Sequence, residues 1–217
     1  MEIIIDFLGQ LTDPDWILNN GGLYLVLIIL FIETGLFFGF FLPGDPLLFI
    51  SGVIIASAEA TIPFQNEIYN LMFWEALFII STLLGNMVGY WSGYKFRHFF
   101  RKKKSWFLNP THIDSAEKFY RKRGGLAILI ARFLPIVRTF VPIVGGVVRM
   151  NFSRFMFFNV MGAFLWVGVI TSLGFILGEN PWVARNLEYV IMGLVLIVTL
   201  PVLFQLLFRK KALPQKL

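Results

Sequence analysis

The sequence contains no cysteine. That absence excludes a disulfide framework and thiolate chemistry. Histidine is almost missing too: the two present, His98 and His112, both fall in the most basic stretch of the chain. Charge is scarce, with 15% of the 217 residues charged against 57% hydrophobic. A soluble domain of this size could not hide so much apolar surface, and long apolar runs read as membrane spans. The N-terminus, MEIIIDFLGQLTDPD, lacks both a basic n-region and a small-residue cleavage site, so a removed signal peptide is not expected. Most informative is the charge missing from one half: residues 1–94 hold no lysine or arginine.

The bases that are present cluster. Ten of the 19 Lys and Arg lie between Lys95 and Arg123, and Arg209, Lys210 and Lys211 follow the last apolar run. The net charge of +6 is therefore an orientation signal and not a nucleic-acid footprint, since Lys/Arg-rich loops stay in the cytoplasm.

Residues 1–20 mix Ile3, Ile4, Ile5, Phe7 and Leu8 with acids and read as an interfacial segment. Residues 23–57 form one apolar run, about 52 Å if helical throughout. That is too long for one span of roughly 30 Å and too short for two. Leu42-Pro43-Gly44-Asp45-Pro46 interrupts it, with Asp45 expected as an N-cap and Pro46 at the first helical position. Such a segment fits a re-entrant hairpin. Residues 59–70 are a basic-free outer loop, and 73–96 a span carrying the small-residue stripe Gly85, Gly89, Gly93. Asn86 and Tyr90 share that neighbourhood as lining candidates. In the basic loop at 97–124, Thr111 and Asp114 make a capping box for a short helix that ends before Gly124.

Parity then decides residues 125–148, which contain ARFLPIVRTFVPIVGG. If they crossed the membrane, Arg149, Arg154 and the tail at 209–217 would all lie outside, against the positive-inside rule. A second re-entrant hairpin, broken by Pro135, Pro142, Gly145 and Gly146, keeps the basic clusters inside. Spans at 153–178 and 188–208 follow, with Asn159, Gly162 and Trp166 giving the first a packing or lining face. The fold class expected is an all-α polytopic membrane protein: an inverted repeat with two oppositely oriented re-entrant helical hairpins, in the inner membrane.

Two acids, Glu33 and Asp45, sit in the first interrupted segment, and two bases, Arg132 and Arg138, in the second. Each charge near the bilayer centre costs about 2.5–3.5 kcal/mol. They persist if they pair or line a wet cavity, and broken backbone at that depth obeys the same limit. Facing hairpins are the pattern of an inverted-repeat transporter with a midplane site. The two guanidiniums, with nearby half-helix N-termini, make a seat for a phosphate. Glu33 and Asp45 would then gate the site or take up protons. The plainer alternative is a staple, in which the acids only neutralise the arginines and Asp45 only caps a helix.

The motifs ETG…FLPGD, G-N-x-x-G-Y-W-x-G and FYRKRGG…ILIARFLPIVRTFVPIVGG resemble the DedA family of bacterial membrane proteins, related to the SNARE-associated Golgi (VTT-domain) proteins. The likeness covers about residues 23 to 178. It implies facing re-entrant hairpins and translocation of a lipid, with undecaprenyl phosphate first and phosphatidylethanolamine or general phospholipid scrambling as the alternative. It also implies membrane lipids and protons or sodium as partners, with Glu33 and Asp45 as the functional acids and Arg132 and Arg138 as the arginines. Asn86 departs from the family pattern, where many members carry Asp.

No cofactor or metal is implied, and no nucleic acid; a homo-oligomer is left open. An ion-coupled exporter of a small solute is the rival class, and a structural assembly factor another. An intramembrane enzyme would need a nucleophile with a base, or a metal cluster, and is not expected from a chain whose histidines are confined to a cytoplasmic loop.

Overall fold

The computed structural model describes residues 10, 13–37, 39–57, 63–96, 128–129, 135–187 and 189–193. Outside them lie the N-terminal residues, most of the basic loop with the helix expected at Thr111–Arg123, Arg132, most of the first arm of the expected second hairpin, and most of the span expected at 188–208 with the tail. All regular structure among the described residues is helical.

Helix α1, Pro14–Asn19, begins where Asp13 caps it, its carboxylate accepting from the Asp15 N–H at 3.0 Å with Pro14 pre-set for the first turn. Helix α2 spans Gly22–Gly35, a 3₁₀ turn Gly39–Phe41, and α3 Gly44–Ala56. Helix α4, Glu67–Lys95, starts at Asn66, whose side-chain oxygen accepts from the Ile68 and Tyr69 N–H groups. Helix α5 is Pro135–Val147 and α6 Phe152–Gly178, the latter capped by Asn151. A short α7, Pro181–Arg185, lies in the segment expected as the outer loop between Glu179 and Glu188.

Length separates two kinds of helix. With 29 and 27 residues, α4 and α6 reach about 44 and 40 Å, enough to cross a bilayer core of roughly 30 Å. Both are apolar enough to do so. With 14 and 13 residues, α2 and α3 reach only about 20 Å each.

The packing register fixes their directions. Asn86 meets Asn159, Tyr90 stacks on Phe155 and Glu75 meets Ser172, so α4 and α6 run antiparallel. Tyr24 meets Trp74, Ser81 donates to the Leu27 carbonyl and Gly35 abuts Gly85, so α2 runs parallel to α4. Gly174 abuts Phe49 and Gly178 abuts Val53, so α3 runs parallel to α6. Helices α2 and α3 therefore run in opposite directions. Ile17 of α1 packs into the same buried cluster as Leu23 of α2 and Ile54 and Ile55 of α3.

Three expectations change. Asp45 does not cap α3: the helix begins at Gly44, Pro43 occupies the cap position without a side-chain bond, and Asp45 lies inside the first turn. Pro142, Gly145 and Gly146 do not break α5, which runs through all three to Val147. Pro142 removes one helical hydrogen bond, but neighbouring helices support such a site in a membrane bundle. Both glycines serve packing, since a Cβ at Gly146 would stand 2.0 Å from the Tyr90 carbonyl oxygen and one at Gly145 would touch Phe155. The span expected from 73 starts at Glu67, because the Asn66 cap holds the earlier turn in the helix.

Candidate functional site

The turn between α2 and α3 is built around Glu33. A Cβ on Gly39 would come within 2.4 Å of the Glu33 backbone, and one on Gly44 within 1.7 Å of its carboxylate. Gly39 lets the chain fold back over the Glu33 backbone and Gly44 leaves room for the carboxylate of that residue, which is 1% exposed. The carboxylate thus rests on the N-terminus of α3, where the helix end favours negative charge.

Arg138, one turn into α5, reaches both acids. Its Nη2 donates to Glu33 Oε1 at 2.5 Å and its Nη1 to Asp45 Oδ1 at 2.5 Å. Trp166 of α6 donates its indole N–H to the same Asp45 oxygen at 2.8 Å. Its ring also lies under the guanidinium, 4.4 Å from Cζ to the ring centroid, a cation–π contact. Glu33, Asp45 and Arg138 are all nearly closed to solvent. One cation thereby ties α2, α3 and α5 together, and Trp166 adds α6.

Beside the guanidinium is a cavity of about 20 Å³ lined by Thr34, Asn86, Ile128, Arg138, Val141, Pro142, Asn159 and Trp166. Asn86 donates its amide N–H to Asn159 Oδ1 at 3.0 Å, crossing from α4 to α6. Of the expected lining residues, Asn86 and Asn159 reach the cavity. Tyr90 does not line it: its hydroxyl donates to the Met150 carbonyl and its ring packs on Phe152 and Phe155. Among the breakers, Pro43 and Pro46 flank the Glu33–Gly44 contact, and Pro135 is the first described residue of α5. Arg132 lies outside the described residues.

Two participants carried no distinct sequence signal. Trp166 was legible only as part of a face with Asn159, seven residues or about two turns away. Thr34 looks like a filler beside Glu33, yet its hydroxyl donates to the Leu30 carbonyl at 2.7 Å and approaches the Thr82 carbonyl at 3.3 Å.

Residues 26–176 match the VTT domain. Protein DedA of Escherichia coli K12 is 38% identical over 189 residues, covering 87% of this chain and 83% of that protein. The chain belongs to the VTT-domain (DedA) family. Inner membrane protein YqjA of E. coli K12 is 37% identical over 83% of this chain and 81% of its own length. An uncharacterized membrane protein of Mycobacterium leprae is 35% identical over 82% of this chain and 76% of its own. No solved structure matches. The family match spans the whole acid–arginine cluster, from Val26 within α2 through Trp166 to Ile176 near the end of α6.

Proposed function

We propose that this VTT-domain protein is a membrane lipid transporter that moves a phosphate-bearing headgroup across the bacterial inner membrane, undecaprenyl phosphate being the first candidate cargo. The observation that carries the reading is Arg138, a guanidinium buried among short helices and salt-bridged to two acids. An arrangement this costly in a membrane calls for a function by default. Antiparallel α2 and α3, each too short to span, with α5 entering from the second half, support two re-entrant hairpins meeting at the midplane. Arg132 and Arg138 would bind the phosphate, while Glu33 and Asp45 gate it or couple it to protons or sodium. The reading is of a transporter and not of an enzyme.

Each acid has a second source of support. Glu33 rests on the N-terminus of α3, and Asp45 accepts the Trp166 N–H.

The staple reading has its own support, because the same bridges hold four helices together. The test is headgroup translocation in proteoliposomes, wild type against Arg132→Ala and Arg138→Ala. Undecaprenyl phosphate and phosphatidylethanolamine are followed in parallel, with and without a pH gradient. Loss of movement in folded variants supports the transporter. A wild type that moves neither lipid returns the arginines to a structural role and favours ion-coupled export of a small solute.

A further inference from the structure

The two carboxylates occupy only part of the Arg138 fork. They bond Nη1 and Nη2, whereas a guanidinium carries five N–H donors, one of them on Nε. Arg138 Nε is buried and has no hydrogen-bond partner among the described residues, in a side chain only 8% exposed. A buried donor left without a partner costs about 1–3 kcal/mol. Such a group calls for a ligand or a water.

Arg138 also lines the cavity, whose volume is about 20 Å³. A bound water needs about 10–15 Å³ by this measure, so there is room for one oxygen-sized atom and little more. The described polar groups around it, from Thr34, Asn86 and Asn159, are uncharged, and no carboxylate is among its described lining residues. What the cavity offers is an open N–H donor between neutral walls, which an acceptor oxygen can take; the charge of the guanidinium is already met by Glu33 and Asp45.

We infer that one phosphoryl oxygen of the ligand enters this cavity and is held by the Nε edge of Arg138, between Asn86 and Asn159, while Glu33 and Asp45 keep their hydrogen bonds. This rests on the phosphate-headgroup reading above and alters its mechanism: the acids hold the arginine in place and do not compete with the ligand for it. The cavity admits a single oxygen of the phosphate, so the rest of the headgroup remains outside it. Asn86 and Asn159 become positioning residues for the anion.

The test is ¹⁵N–¹H NMR of arginine Nε–H groups in the full chain reconstituted in phosphatidylcholine nanodiscs. The Arg138 signal is assigned by its disappearance in Arg138→Lys. Inorganic phosphate and a short polyprenyl phosphate are titrated separately. The polyprenyl phosphate is expected to shift the Arg138 Nε–H signal. Asn159→Leu, which fills the cavity, is expected to weaken binding about tenfold, the loss of one charge-assisted hydrogen bond. Asn159→Ser, which keeps a polar wall, should retain most of it and guards against misfolding. An equal response to inorganic phosphate would support the oxyanion site and assign free phosphate as its source. Three results would overturn the inference: a silent Nε–H in a protein with an intact spectrum, full affinity in folded Asn159→Leu, or binding that tightens about tenfold in Glu33→Gln, which displacement of the acid demands. NMR reads binding alone, so a responsive Nε–H in a protein that moves no lipid would sink the transport reading and leave this one standing.

Discussion

Arg138 is where the energetics concentrate. Removing it strands two buried carboxylates, and breaking a buried ion pair from one side typically costs about 3–5 kcal/mol. Arg138→Ala is expected to lower the melting temperature in detergent and to abolish headgroup movement. Pairing it with Glu33→Gln and Asp45→Asn should restore much of the stability and none of the transport. A triple variant that regained transport would leave only the staple. Trp166 offers a finer test, because its N–H and its ring do separate things. Trp166→Phe keeps a ring under the guanidinium and removes only the bond to Asp45. Hydrogen bonds to charged groups contribute about 1.5–3 kcal/mol, so the variant should be destabilised by that amount while remaining folded. Sequence reasoning found Glu33, Asp45 and Arg138 because charges stand out in apolar runs. It could not assign Trp166 its role, because a tryptophan in a span is ordinary until its N–H has a partner.

Between helices, the glycines decide what can touch. A Cβ at Gly174 would stand 2.0 Å from the Phe49 carbonyl oxygen, and one at Gly93 2.0 Å from that of Ile143, both immovable backbone. The opposite face of α6 offers a control, since nothing lies within 4 Å of a Cβ at Gly168. Gly174→Ala and Gly93→Ala are expected to force α3 and α5 off their partner helices, seen as loss of monodisperse protein and a lowered melting temperature. Gly168→Ala should be neutral or better by up to about 1 kcal/mol, the helix-propensity difference. The stripe of Gly85, Gly89 and Gly93 could be read in advance because small residues four apart share one helix face. Pro142, Gly145 and Gly146 misled for a related reason. In water such residues end helices, whereas inside a packed bundle the missing Cβ atoms of Gly145 and Gly146 allow α5 to lie against α4 around Tyr90. Helix α4 starts six residues before Phe73 because its start is set by the Asn66 cap, a polar signal that lies outside the apolar run.

At the scale of the molecule, the antiparallel pair α4 and α6 sets the frame and the short helices hang within it. Helix α3 lies along α6 and α5 along α4, each through glycine contacts. That arrangement has a consequence for topology. If the α2–α3 segment is re-entrant, Asn20 and Ser57 flank it on one side of the membrane, together with Gln65 before α4 and Asn180 after α6. Arg154, at the start of α6, must face the other side, as must the residues just after Lys95. The absence of native cysteine makes the test direct. Single cysteines at Asn20, Ser57, Gln65 and Asn180 should react with an impermeant maleimide added outside intact cells, and one at Arg154 only after permeabilisation. Should Asn20 and Ser57 label from opposite sides, the α2–α3 segment crosses the bilayer. Glu33 and Asp45 would then no longer sit at the tip of a hairpin, and a midplane site shared between two halves would lose its geometric basis. Labelling of both from the outside would fix the acids deep within the bilayer core, one helix length of about 20 Å from that surface, where only a partner such as Arg138 makes their burial affordable.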